Sequence, residues 1–147
     1  MILSVWRRFW GDRAGANAVE FALLAAPLLL ILFGAVEFGR LYWAKQALQQ
    51  IAITGARCMA LPQVACSTSG VYDATKTSTY VRTIASTYGL IVPAKNVTLN
   101  RAATCSGITG FSTVRLTYTF SSALPNFIMG LANGPALATT SCFPNQA

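Results

Sequence analysis

The chain has 147 residues, room for one modest domain beside any long helix, and 54% of them are hydrophobic against 10% charged. Eleven Lys and Arg against four Asp and Glu give a formal net charge of +7, and there is no histidine. That inventory excludes a Ser-His-Asp or Cys-His catalytic arrangement, and it is too apolar for an ordinary soluble globule, the excess lying mostly before residue 44.

Residues 1–15, MILSVWRRFWGDRAG, carry Arg7, Arg8 and Arg13 against Asp12 and are expected to form no stable structure of their own. Residues 15–57 read as one long helix. Its uncharged core, residues 21–36, spans about 24 Å at the rise of a helix, short of a hydrocarbon core of about 30 Å. Extending the span back to Ala16 supplies the missing length and places Glu20 inside it. A carboxylate there costs on the order of 2.5–3.5 kcal/mol, so it calls for a partner. The three arginines favour a cytoplasmic N-terminus and translocation of the C-terminal part, with Tyr42 and Trp43 as an interfacial aromatic anchor on the far side. A cleaved secretory signal is the rival, but the apolar run leads into Glu37-Phe38-Gly39-Arg40 and goes on as helix. The residues around Arg7-Arg8 do not support a twin-arginine export motif.

A cut after Gly15 would give Ala16 a new α-amine, and Ala16 and Glu20, four apart, share a helix face. The amine then neutralises Glu20 in its own chain or in a neighbour. Pro27 cannot donate to the carbonyl of Leu23, so a kink is expected there. Gly34 and Gly39 offer close approach to a partner helix. Glu37 and Arg40, three apart, suit an interfacial ion pair worth about a few tenths of a kcal/mol. Beyond the span, Ala44, Ala47, Leu48, Ile51 and Ala52 recur at helical spacing opposite Lys45, Gln46, Gln49 and Gln50. That stripe should pack under the C-terminal domain, against other subunits, or both. Ile53, Thr54 and Gly55 weaken the helix, and Pro62 sets its outer limit.

The G-x-x-x-x-E-F pattern from Gly15 to Phe21, the basic leader, the apolar run with Pro27 and the block VEFGRLYWAKQ resemble the TadE-like pseudopilins of the tight-adherence branch of type IV pili. The likeness covers residues 13–61, about a third of the chain. It implies a prepilin peptidase cutting between Gly15 and Ala16, with Glu20 and Phe21 completing the processing motif and Glu20 serving subunit registration. It makes Glu20, Pro27, Glu37 and Arg40 candidates for subunit association. It implies an inner-membrane protein with its C-terminal part outside the cytoplasm. Its partners would be the peptidase, other pilins and pseudopilins, an inner-membrane assembly platform and membrane lipid.

Cys58, Cys66, Cys105 and Cys142 all lie beyond the span, and an even number in a small translocated domain reads as two disulfides with three possible connectivities. Zinc is disfavoured by the lack of His, of a C-x-x-C pair and of more than one acidic residue after Glu37. Residues 58–70 read as a loop in which a Cys58–Cys66 bridge would close the turn after the helix. Residues 73–88 read as a second helix, with Asp73 as N-cap, Val81, Ile84, Ala85 and Tyr88 on one face and Gly89 as its stop. Residues 96–101 and 113–121 read as strands. In the second, Val114, Leu116, Tyr118 and Phe120 alternate with Thr113, Arg115, Thr117 and Thr119. Residues 105–110 would connect the two.

An irregular apolar stretch, residues 123–135, contains Leu124, Phe127, Ile128, Met129 and Leu131 and would either touch a membrane or pilus component or cover a sheet edge. Residues 136–143 would return as a third strand and bring Cys142 to Cys105. Asn96-Val97-Thr98 matches a glycosylation acceptor, with nothing else to support it. The expected fold is α+β: a transmembrane and stalk helix over residues 16–57, after a leader of residues 1–15. An extracytoplasmic head over residues 58–147 would hold one helix and a roughly three-stranded antiparallel sheet.

Two functions compete. The first is a minor pseudopilin for assembly of tight-adherence pili or a related secretion apparatus. The second is a membrane-tethered binding module for anionic ligands such as DNA or polysaccharide, because seven basic residues face one acidic from residue 41 on. Lys76, Arg82, Lys95, Arg101 and Arg115 are scattered without aromatic interleaving, so no nucleic acid partner is expected. With Asp73 its only acidic residue the head cannot pair carboxylates, and no phosphate-cradling glycine loop follows a strand. No enzyme activity, cofactor or metal is expected.

Overall fold

Helix α1 runs through Ala14–Ala60 in the computed structural model, which describes residues 14–121 and 136–146. Its 47 residues extend about 70 Å at 1.5 Å per residue. The helix is rich in Ala and Leu, the residues that lose least on entering a helix, and it passes through Pro27 without ending. It stops where Pro62 disfavours helical geometry at Leu61, and the last carbonyls are taken by Leu61 N–H on Arg57 and Gln63 N–H on Cys58. The chain divides into two units, Met1–Gly39 and Arg40–Ala147.

In the described part of the first unit, α1 exposes its apolar side chains: Phe21, Leu23, Leu24, Ile31, Phe33 and Val36 are all more than half exposed. Among the described residues, α1 is one helix long and apolar enough to cross a membrane.

In the second unit the pattern inverts. Ala44, Ala47, Leu48, Ile51, Ala52, Ala56 and Met59 are buried at the i, i+3, i+4 spacing of one helix face and form the middle of the core. Against them pack Val81 and Ala85 of α2 (Ala74–Thr87) and Val114, Leu116 and Phe120 from the sheet side. Gly55 sits where α1, α2 and the sheet converge. A Cβ on it would lie 2.7 Å from Val81 Cγ2 and 3.4 Å from a Val114 methyl. A residue that looks like a helix breaker in sequence is thus a close-packing point.

Between the helices, a two-residue turn at Ser69 and Gly70, both at positive φ, joins β1 (Ser67–Thr68) to β2 (Val71–Tyr72). This hairpin, in a stretch expected to be loop, leans on the start of α2. Asp73 N–H donates to Cys66 O, Lys76 Nζ to Ser67 O, and Thr68 Oγ1 to Asp73 Oδ2 at 2.8 Å. Asp73 is the N-cap: its Oδ1 accepts from the N–H groups of Thr75 and Lys76 at 2.9 and 3.0 Å. The Lys76 N–H is the first cause that holds the Asp73 carboxyl below its usual range, and the Thr68 hydroxyl is the second.

A carboxyl with a lowered folded-state pKa stabilises above its unfolded value, about 4, and that contribution disappears as pH falls through the folded value. Urea unfolding of the detergent-solubilised chain should therefore show a stability loss below pH about 4 that Asp73→Asn removes, since asparagine keeps the cap acceptor without the charge. An acid slope unchanged in the variant would contradict that assignment.

The sheet is an antiparallel meander in the order β3 (Val97–Cys105), β4 (Ile108–Thr119), β5 (Ala136–Pro144). Ser112, Val114, Leu116 and Phe120 face the core while Arg115 and Thr119 are exposed, which is the expected alternation. The third expected strand is β5. Two boundaries differ from the sequence reading: β3 extends to Cys105, and β4 begins at Ile108 in place of residue 113. The 105–110 stretch is a tight hairpin, not a loop, with Ser106 and Gly107 both at positive φ as a primed two-residue turn requires.

This hairpin is bent. In register, Cys105 stands opposite Ile108, and Cys142 opposite Thr113. The two cysteines are therefore about 16 Å apart along β4, yet they are bonded with Cα atoms 6.5 Å apart. The tip turns back toward β5 where the β3–β4 register breaks between Asn100 and Cys105 and where Gly110 takes φ +87°. Asn145 holds the bend from the end of β5: its N–H donates to Gly110 O, its Nδ2 to Arg101 O, and its Oδ1 accepts from Ser112 Oγ. The architecture is α+β, with a long apolar helix ahead of a small antiparallel sheet.

Candidate functional site

The sequence candidates divide between the apolar half of α1 and the head. Gly15 and Ala16 lie in the first turn of α1, with Glu20 and Phe21 in the next turn. Glu20 is exposed and Phe21 is 74% exposed. A carboxylate thus stands among side chains suited to lipid, where an unpaired charge is costly. Pro27 lies among exposed leucines, and a Cβ at Gly34 or Gly39 would meet nothing within 4 Å, leaving an open surface at each.

Glu37 lies three residues before Arg40 on α1. It is buried, at 4% exposure, whereas Arg40 is exposed and lays its guanidinium over the Phe120 ring at 5.6 Å from the centroid. Neither residue is without an interaction. Tyr42 and Trp43 are both more than half exposed, and Trp43 lies beside Tyr88 with ring centroids 6.3 Å apart. Sequence reasoning did not bring Tyr88 to Trp43. The contact depends on the path of α2 past α1, which no local sequence signal fixes.

The cysteines are joined as Cys58–Cys66 and Cys105–Cys142, and none is free. The first bridge is buried at the end of α1. The second lies nearer solvent, with Cys142 exposed. Three of the head's cations are engaged by its own fold. Lys76 donates to Ser67 O, Arg82 to Val92 O, and Arg101 lies over the Tyr72 ring at 5.7 Å. Tyr72 has its pKa raised, first by burial, with Arg101 working against that and Asp73 with it.

An open groove of about 400 Å³ follows the outer face of α2 between Val64, Ala65, Thr75, Thr79, Tyr80 and Thr83. The Thr79 and Thr83 hydroxyls donate to the carbonyls one turn back, Thr75 and Thr79. Its lining carries one cation, Lys76, and no carboxylate, thiol or imidazole. That set provides neither an acid-base pair nor an activated nucleophile. The apolar run at Phe127, Ile128, Met129 and Leu131 and the leader's arginines lie outside the described residues.

Residues 15–57 match the family model described as TadE-like protein. No curated protein matches the chain, and no solved structure does.

Proposed function

We propose, from the premise that this is a TadE-like protein over residues 15–57, that the chain is a minor pseudopilin for assembly of a tight-adherence pilus or a related secretion apparatus. The apolar half of α1 is its single-pass anchor in the inner membrane, with the arginine-rich leader cytoplasmic and the head periplasmic. A prepilin peptidase cuts between Gly15 and Ala16, and the protein is substrate in that step and subunit thereafter. The amine so created lies one helical turn from Glu20 and pairs with it within the chain or across to another pilin.

The observation that carries this reading is Glu20 itself. It is an exposed carboxylate in the apolar, TadE-like part of α1, the fifth residue after the bond to be cut. Docking of a second subunit supplies the counter-charge that lipid lacks. Replacing the residue by alanine should leave insertion intact or easier and weaken association. At about 1–2 kcal/mol for a polar contact between membrane helices, crosslinking to other pilins should fall roughly 5- to 30-fold. Crosslinking of the Glu20→Ala chain at the wild-type level would remove the pairing role.

A further inference from the structure

We infer that the Cys105–Cys142 bridge is a redox-exchange site: a dithiol protein opens it, and the tip of the β3–β4 hairpin then swings off the outer face of the sheet. The inference uses the head alone and is independent of the pilus reading above.

The argument starts from strand alternation. In β5, Ser141 is buried and Phe143 packs on the core, so Cys142 between them lies on the opposite, outer face. Its register partner Thr113 lies between buried Ser112 and Val114, and Asn100 completes that row across the sheet. A regular ladder would carry Cys105, opposite Ile108, about 16 Å past the row. The cysteine Cα atoms are only 6.5 Å apart, so the tip is folded back over the outer face.

Among the described residues, the tip buries little. Ser106, Gly107, Ile108 and Thr109 are all exposed, Ile108 at 63%, and their release uncovers no core. Asn145 grips the hairpin at Arg101, Gly110 and Ser112, at the base of the bend, so its hold survives release of the tip. The register break between Asn100 and Cys105 and the positive φ of Gly110 supply the hinge.

The two bridges differ in access. Cys58 and Cys66 are 1% and 0% exposed, out of reach of an attacking thiolate, whereas Cys142 is exposed. A thiolate of the dithiol protein attacks Cys142 Sγ, the sulfur–sulfur bond breaks, and Cys105 leaves as a thiolate that takes up a proton. The second thiol of the dithiol then attacks the mixed disulfide, and its proton passes to Cys142 as that residue is released. The bridge gains two electrons and two protons, and the dithiol becomes a disulfide.

The test uses the full chain in detergent, with p-acetylphenylalanine at positions 95 and 108, both exposed, carrying ketone-reactive nitroxides. All four cysteines stay native. Reduced thioredoxin is the probe dithiol, alkylation with mass spectrometry reads each bridge, and double electron–electron resonance reads the distance between the labels. Cys105 and Cys142 should be alkylated at a thioredoxin dose at least about tenfold below that needed for Cys58 and Cys66. The label distance should then lengthen by up to about 16 Å. A Cys105→Ser, Cys142→Ser chain should show the long distance without thioredoxin. If the two bridges open together, or neither opens while the head stays folded, the exchange site is overturned. If the distance is unchanged once Cys105 and Cys142 are alkylated, the swing is overturned.

Discussion

Replacing both Cys105 and Cys142 by alanine should cost the head about 4 kcal/mol, the loop-closure value for a bridge across 37 residues. That is a large part of the 5–15 kcal/mol typical of a domain. The bridge does more than shorten the unfolded chain. It joins two positions about 16 Å apart in strand register, so it fastens the bent tip of the β3–β4 hairpin to β5. Urea unfolding of the detergent-solubilised chain should show the loss in its midpoint, and amide exchange should rise first at residues 101–111. Because Cys142 is exposed and the Cys58–Cys66 sulfurs are buried, a mild reductant should open the Cys105–Cys142 bridge first. An unchanged midpoint in the double variant would show that Asn145 and the strand pairing hold the tip unaided.

The second large effect belongs to Gly55. Alanine there gains about 0.5–1 kcal/mol of helix propensity, but its methyl would stand 2.7 Å from Val81 Cγ2. Overpacking of that kind costs about 1–3 kcal/mol, so the net change is destabilising. Leucine should cost more than about 3 kcal/mol, because it meets Val114 of the sheet as well. The decisive measurement is a cycle with Val81→Ala. If the contact sets the cost, Val81→Ala should recover part of the Gly55→Ala loss, with a coupling of about 0.5–3 kcal/mol. Strictly additive melting temperatures would place the cost elsewhere.

Gly55 also marks the limit of what local reasoning reads. Its propensity argues for a helix near its end, yet the helix passes through it to Ala60 because Val81 and Val114 need the space a side chain would fill. Tertiary packing overrides propensity there. The patterns that were legible each have one dominant local cause. The 3.6-residue recurrence of Ala44, Leu48 and Ile51 marks a core face, Asp73 caps α2 through its own side chain, and alternation over residues 113–121 marks a strand with one buried side. Both hairpin turns were written as Ser-Gly, at residues 69–70 and 106–107. Neither stands out as a hairpin in sequence, because the flanking strands are too short or too irregular to alternate clearly.

The candidate assembly residues show the same division. Glu20 is conspicuous because a charge in an apolar run has no local explanation. Glu37 was legible only as half of an i, i+3 pair, since burial is a property of the folded chain. The meeting of Trp43 and Tyr88 needed the path of α2 along α1, which no single window of sequence contains.

The central claim is that this chain works as a processed, membrane-anchored subunit. Its most direct test is the N-terminal sequence of the protein extracted from membranes of cells in which it is functional. The account predicts that the chain begins at Ala16, with Glu20 as its fifth residue. A functional protein that still begins at Met1 and carries all three leader arginines would contradict it.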